Sequence, residues 1–358
     1  MLWTGERATG FSTIARGDEV SIVVRTQHGR RRATQRLVLR GGEVVERHEL
    51  DPDLVGPIFG DFDGDGRTDA ASVDARELRI LLDVVGDAAP LPSRSLTSGR
   101  WSLQTIARDL NGDARDELTI AWTSRNIAGI EVWSLRGRWM ERLDLQTTRW
   151  IPFDLDIADL DGDGIDDLFV TATRRVVAPG QESLSIDGPP IGHQSSPGAL
   201  GLARGRGDGS FAPLVFHPLD RPISAASQVV ALDGVGPAVI VPGSATEPLI
   251  ARVAGDALAV EALEACSRMF SFTALELDGA SGSELLVRVT GAQGDAWEAW
   301  SWAAPGRLQR WRHAPLTARE AFAGGLRPID LDADGTDEVL MLVPHFEARQ
   351  SALVVLDW

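Results

Sequence analysis

The sequence predicts an all-β fold: a seven-bladed β-propeller of four-stranded blades, its ring closed by the N-terminal strand in the last blade. Three observations predict it. A unit made of an apolar segment, an acidic glycine-bearing loop and a second apolar segment recurs seven times. The loop ends are Glu19, Asp69, Glu117, Asp167, Ala238, Glu284 and Glu338, with steps of 46 to 54 residues apart from one of 71. Long helical periodicity is absent, while short runs rich in Val, Ile, Leu and Trp are punctuated by Gly, Asp, Asn and Pro, as strands and turns require.

The clear copies are IFGDFDGDGRTDAASV from Ile58, TIARDLNGDARDELTIAW from Thr105, DIADLDGDGIDDLFVTA from Asp156 and RPIDLDADGTDEVLMLV from Arg327. Weaker ones start at Phe11, Val229 and Phe272. A period near 50 suits blades of four short strands, and one ring of repeats can absorb all 358 residues as a single domain. In the third unit the strands read WSLQTIAR, LTIAWT, GIEVWSLRG and WMERLDLQ. After Glu338 only EVLMLVP and SALVVLDW remain, so the last unit lacks a fourth strand. The spare segment MLWTGERAT is expected beside the C-terminal strand, which would remove two open sheet edges.

Composition narrows the function. Net charge is −17, against the basic footprint of general nucleic-acid binding. No apolar run is long enough for a membrane span, and the first residues show no basic region followed by an apolar stretch. The one cysteine, Cys266, excludes an intrachain disulfide and reads as a small buried hydrophobe. The chain has neither Lys nor Tyr, so no Lys base, Schiff base or Tyr acid is available to an enzyme.

The acidic loops carry the chemistry. DFDGDGRTD places Asp61, Asp63, Asp65 and Asp69 at relative positions 1, 3, 5 and 9, with a carbonyl available at Arg67. Alternate spacing in a tight glycine turn points these groups at one centre. Hard oxygen ligands in a flexible cage suit Ca²⁺ better than Mg²⁺. The third loop repeats the set as Asp109, Asn111, Asp113, Arg115 and Glu117, and the fourth as Asp159, Asp161, Asp163, Ile165 and Asp167. The seventh gives Asp330, Asp332, Asp334, Thr336 and Glu338. An EF-hand would need flanking helices and a Glu at position 12, whereas position 12 here lies in β-rich sequence. About four calcium sites are therefore expected. Plain acidic turns are the alternative, and they fit the first and fifth loops; the sixth, with Ala280 at position 5, is expected to be empty or weak.

These loops, together with ALGLARGRGDGSFAPLVFHP as third strand, glycine hairpin and fourth strand, resemble FG-GAP (VCBS-type) repeats, the repeats of integrin α-subunit heads. The resemblance covers essentially the whole chain. It implies structural calcium, an extracellular, periplasmic or cell-surface location, and a non-catalytic module that binds a protein or glycan. Lyase-like action on polysaccharide, or a lectin, is the alternative it leaves. The ligand face is expected opposite the calcium loops, shaped by the insertion at 176–198 with His193 and Gln194, and by the basic cluster Arg30, Arg31 and Arg32. The connection 317–325 is expected on the same face and could form a helical turn.

Other motifs have plainer readings. Arg-Gly-Asp at 16–18 and 206–208 falls in turns the repeat already explains. Trp133 and Trp300 occupy matching positions and read as packing residues; Trp297, Trp300 and Trp302 could instead form a sugar platform. The six His show no metal or triad spacing.

Overall fold

The computed structural model describes all residues but 1–2, 7, 17–18, 29–30, 42, 51–53, 55–56, 75–76, 85–90, 97–100, 125–126, 175–196, 224–226, 233–235, 243–246, 256, 264–270, 277–282, 292–293, 305–306, 316–323, 331–335, 346–349 and 357–358. The described strands form consecutive four-stranded antiparallel blades of the β-propeller type. They fall into two compact units, one built mainly from residues 1–54 and 263–358, the other mainly from 55–229 and 236–262.

In the first unit, β1 (Trp3–Glu6) precedes the first blade, β2 (Ala8–Arg16), β3 (Glu19–His28), β4 (Arg31–Arg40) and β5 (Glu43–Leu50). In the second unit, the second blade is β6 (Ile58–Gly60), β7 (Asp69–Val73), β8 (Glu77–Leu81) and β9 (Arg94–Ser95). The third is β10 (Trp101–Arg108), β11 (Glu117–Thr123), β12 (Ala128–Arg136) and β13 (Trp139–Thr148). The fourth is β14 (Trp150–Ala158), β15 (Asp167–Arg174), β16 (Gly198–Ala203) and β17 (Val215–Pro218). The fifth is β18 (Gln228–Leu232), of which Val230 onward belongs to the first unit, then β19 (Gly236–Val241), β20 (Leu249–Ala254) and β21 (Ala257–Ala262). The first unit resumes with the sixth blade, β22 (Ser271–Leu275), β23 (Glu284–Gly291), β24 (Gly294–Ala304) and β25 (Arg307–Pro315). It ends with β26 (Gly324–Ile329), β27 (Glu338–His345) and β28 (Gln350–Leu356), and β1 pairs antiparallel with β28, Trp3 opposite Leu353.

The expectation of a seven-bladed propeller is corrected here: among the described residues six blades are complete, with four strands of at least four residues each. The sheet β6–β9 is rudimentary, because β6 has three residues and β9 two. Its sequence gives the reason. Pro90 and Pro92 stand just before β9 and cannot donate ladder hydrogen bonds.

Blades pack face to face through alternating apolar side chains. Within the second unit, Leu78 and Ile80 of the second blade meet Leu118, Ile120 and Trp133 of the third. Ile130 and Val132 of the third meet Leu155, Ile157, Leu168 and Val170 of the fourth. Phe169, Leu200 and Leu202 of the fourth meet Val239, Val241 and Leu249 of the fifth. Phe62 and Phe169 are fully buried, each worth roughly 1.5–3 kcal/mol against exposure. The first strands of four blades carry a bulge, at Ala8/Gly10, Ser102/Gln104, Pro152/Asp154 and Gly324/Leu326. A bulge adds local twist and re-aims the residues that follow it.

Candidate metal loops

Each candidate loop joins the first and second strands of its blade. In the second loop, the amides of Gly64 and Gly66 donate to the two oxygens of Asp61, both at 2.8 Å. The Asp65 amide donates to Asp63 Oδ1 at 3.2 Å and the Arg67 amide to Asp65 Oδ1 at 2.8 Å. The Phe62 amide donates to Asp69 Oδ2 and the Asp83 amide to Asp69 Oδ1, each at 2.8 Å. The third and fourth loops repeat the frame. Gly112 and Ala114 donate to Asp109 at 2.8 and 2.9 Å; Gly162 and Gly164 donate to Asp159 at 2.7 and 2.9 Å. The turn needs left-handed backbone, with φ of 78° and 82° at Gly64 and Gly66 and 81° and 85° at Gly162 and Gly164. Glycine takes that conformation without penalty.

A calcium ion would suit this donor set. One oxygen from each of Asp61, Asp63 and Asp65 lies within 4.8 Å of the others, and Asp159, Asp161 and Asp163 do the same. Oxygens bound at 2.3–2.6 Å to one ion can lie no farther apart than about 5 Å. Burial pushes the Asp69 carboxyl up to about 6, although two amides oppose the shift; Asp63 and Asp61 add to it. Burial also raises Asp63, Glu117 and Asp167. A cation among these groups would reverse that cost by favouring the charged forms. In the third loop the Asn111 side-chain Nδ2 meanwhile donates to Glu117 Oε1 at 3.2 Å.

Of the expected ligands, Asp61, Asp63 and Asp65 of the second loop and Asp159, Asp161 and Asp163 of the fourth thus come within reach of one ion, while Asp109, Asn111 and Asp113 of the third share the same hydrogen-bonded frame. Of the seventh, Asp330, Thr336 and Glu338 are described, while Asp332 and Asp334 lie outside the described residues, as do Asp233, Asp278 and Ala280 of the weak loops. The Arg67 guanidinium pairs with Asp83 at 2.7 Å. The proposed ligand face is largely outside the description: Arg30, His193 and Gln194 are not described, and Arg31 and Arg32 are described only as the start of β4. Trp297 is buried and the Trp302 indole donates to the Ser283 carbonyl at 2.8 Å, so the three tryptophans do not form an open platform.

Four features were not anticipated. The first is a clamp between consecutive loops. Asp116, at position 8 of the third loop, accepts from the Asp61 amide at 2.7 Å and returns its own amide to the Asp61 carbonyl at 2.7 Å. Asp337 and Glu276 exchange the same pair of bonds at 2.8 and 2.6 Å, and Ser283 and Ala231 do so at 3.3 and 3.0 Å. Gly60 makes room for it, since a Cβ there would lie 2.7 Å from Asp116 Oδ2. The recurring acid at position 8, Asp116, Asp166 and Asp337, was the available signal.

Second, Arg204 reaches into the fourth loop, with Nη1 at 2.8 Å from Asp161 and 2.9 Å from Asp167. Third, Asp154 and Asp156 share Ser227: its hydroxyl lies 3.1 Å from Asp154 Oδ2 and 2.7 Å from Asp156 Oδ2, and its amide donates to Asp154 at 2.6 Å. Burial, then the Asp154 charge, push Asp156 up to about 7. Fourth, a cavity of about 520 Å³ is lined by Arg94, Glu131, Trp133 and Arg142 among others. Buried Glu131 accepts there from the Trp133 indole at 3.1 Å and from Arg142 at 3.3 Å.

No protein-family model matches the chain, and no curated protein matches it either. Two solved structures share its fold over nearly its whole length. The exotype rhamnogalacturonan lyase YesX is 14% identical, with a TM-score of 0.51 over 98% of this chain and 72% of that one. The Bacillus licheniformis rhamnogalacturonan lyase PL11 is 13% identical, with a TM-score of 0.52 over the same shares. The fold is therefore a β-propeller; the narrower FG-GAP resemblance rests on the sequence motifs alone.

Proposed function

We propose that this chain is a calcium-binding β-propeller in which the second, third and fourth loops hold structural calcium. The observation that carries the reading is the shared frame: in each loop two backbone amides fix the first carboxylate, and the amides at positions 5 and 7 fix the next two acceptors. The ion would supply charge compensation and cross-linking, and the chain would supply preformed oxygen donors. Calcium titration by calorimetry tests this. Binding that weakens in Asp63→Asn supports it; heat-silent titration with no shift in melting overturns it.

Beyond calcium, the likeness to two rhamnogalacturonan lyases favours action on a polysaccharide over the purely non-catalytic module that the sequence suggests. The cavity offers the Arg94 and Arg142 guanidinium groups to a carboxylate-bearing sugar, with Glu131 beside them. No Lys or Tyr exists to serve as base or acid, so His, Arg and carboxylates would have to act. Incubation with rhamnogalacturonan and other acidic polysaccharides, followed by ultraviolet detection of unsaturated product, separates the readings. Binding without cleavage would leave a glycan-binding module, and capture of a protein instead would return the adhesive reading. An extracellular, periplasmic or cell-surface setting goes with either; among the described residues no helix is long and apolar enough to cross a membrane.

A further inference from the structure

Arg204 immediately follows β16, the third strand of the fourth blade. Its Nη1 donates to Asp167 Oδ2 at 2.9 Å and lies 2.8 Å from Asp161 Oδ2, so one guanidinium nitrogen touches the position-3 and position-9 carboxylates of the fourth loop together. Its Nη2 donates to the Gly255 carbonyl in the β20–β21 hairpin, which holds the head from the other side. The backbone is pressed close as well. The Gly205 amide donates to Asp167 Oδ1 at 3.0 Å, and a Cβ on Gly205 would sit 2.2 Å from the Asp166 carbonyl oxygen. Gly205 thus lets the chain beside Arg204 lie directly against the loop.

The strand register shows which residues stand at the same place in the other blades. Leu168 pairs with Ala203 in the fourth blade, as Ala70 pairs with Leu81, Leu118 with Trp133, Val20 with Leu39 and Val239 with Ala251. The next residue is therefore Arg204 in the fourth blade, Leu82 in the second, Ser134 in the third, Arg40 in the first and Arg252 in the fifth. The first and fifth loops lack the ligand pattern, and both have arginine here. The second and third loops carry the pattern, and neither has a cation here. The fourth blade alone among these five combines the full ligand pattern with the arginine.

We infer that Arg204 is a tethered cation that competes with a metal ion for Asp161 and Asp167, and so sets the calcium affinity of the fourth loop below that of the second. The inference rests on the calcium reading above. A bound ion needs those two carboxylates, and the guanidinium must release them first. Two positive groups sharing one cage repel, so ion and arginine alternate.

The test is calcium titration of the full chain by calorimetry, wild type against Arg204→Leu, the residue the second blade uses. One binding step should tighten about tenfold or more, and adding Asp163→Asn, a ligand that Arg204 does not touch, should abolish that step. Arg204→Lys, which keeps the charge, should leave the step weak, and Arg204→Gln should tighten it, which guards against a folding defect of the Leu variant. Unchanged or weakened affinity of that step in both Arg204→Leu and Arg204→Gln overturns the inference. Failure of the calcium reading itself looks different: no step of the wild type would then respond to Asp63→Asn in the second loop.

Discussion

The second and fourth loops have nearly the same backbone frame and opposite ways of managing charge. In both, two glycine amides hold the first carboxylate and a neighbouring amide from the third strand side reaches the last one. In the fourth loop Arg204 also neutralises Asp161 and Asp167. In the second loop the equivalent residue is Leu82, packed into the apolar core. Arg67 Nε lies 3.8 Å from Asp65 in that loop, but among the described residues no ion pair joins a cation to its position-3 or position-9 acid: Asp69 is held by backbone amides, and its carboxyl rises to about 6. Hydrogen bonds place carboxylates; they do not cancel their charge. The second loop therefore depends on an external cation more than the fourth does, and the effects below break or sharpen that difference.

The largest effect should follow Asp61→Ala. It removes the acceptor for two loop amides and for one bound ion, so melting should fall by the equivalent of about 3 kcal/mol, since orphaned buried groups cost ~1–3 kcal/mol each. A ligated site at 100 times its Kd adds about 2.7 kcal/mol, and this variant should lose that share on calcium addition. Asp159→Ala should lose less, because Arg204 still bridges the neighbouring acids. Equal calcium responses in the two variants would erase the contrast between the loops.

Asp116→Ala comes next. Asp116 is not itself an expected ligand, yet its loss removes the acceptor of the Asp61 amide and opens the clamp between the second and third loops. A loss of about 1–3 kcal/mol is expected, with Asp116→Asn recovering part of it. Weaker calcium binding in this variant, with all ligands intact, would show that the loops are mechanically linked; unchanged melting would mean the clamp is decoration.

Much of this was legible in the sequence. Apolar alternation and turn residues placed β10–β13 almost residue for residue, because local periodicity determines strands. The ligand pattern was equally local, four positions inside nine residues. Arg204 was not legible, since it lies 37 residues from Asp167 and meets it only through strand register. Asp116 stood out as a recurring acid at position 8, but its role was hidden for a related reason, its partner being 55 residues away in the preceding blade. Asp156 carried a signal that went unread: the repeat puts Ile58 and Ile106 where the fourth blade has an acid. The weakness of the second blade lay in Pro90 and Pro92, which periodicity alone does not weigh.

The Asp154–Asp156–Ser227 cluster gives a pH prediction. Only Asp154 and Ser227 act on Asp156 at close range, and the facing strands β18 and β19 bring no titratable side chain. The ordinary value is 3.8 and the folded value about 7, so the folded state holds the proton more tightly. Its stabilising share is full below pH 4 or so, declines as pH rises, and is gone above about pH 7. Asp156→Asn should remove this dependence. Its melting point relative to wild type should climb from pH 5 to pH 8 by the equivalent of about 1–2 kcal/mol, discounted from ~1.4 kcal/mol per pKa unit. A difference that stays flat with pH would count against a proton shared in this cluster.

The smallest effect comes from one residue in the third loop. Ala114 sits at φ 65°, where the second and fourth loops have Gly66 at 82° and Gly164 at 85°. For a residue with a Cβ that region costs roughly 1–2 kcal/mol, because Cβ crowds the following carbonyl. The strain persists because the Ala114 amide must reach Asp109 at 2.9 Å to close the frame. Ala114→Gly relieves the strain but gives the unfolded chain more freedom, which takes back part of the gain. A net stabilisation of about 0.5–1 kcal/mol is expected, read as a raised melting point in the presence of chelator. Because the same substitution makes the third loop match its neighbours, calcium affinity there should improve slightly as well. If Ala114→Gly instead destabilises the protein, the methyl group is making a packing contribution that outweighs its backbone strain, and the third loop would have to be read as fitted to alanine rather than as a strained copy of the second.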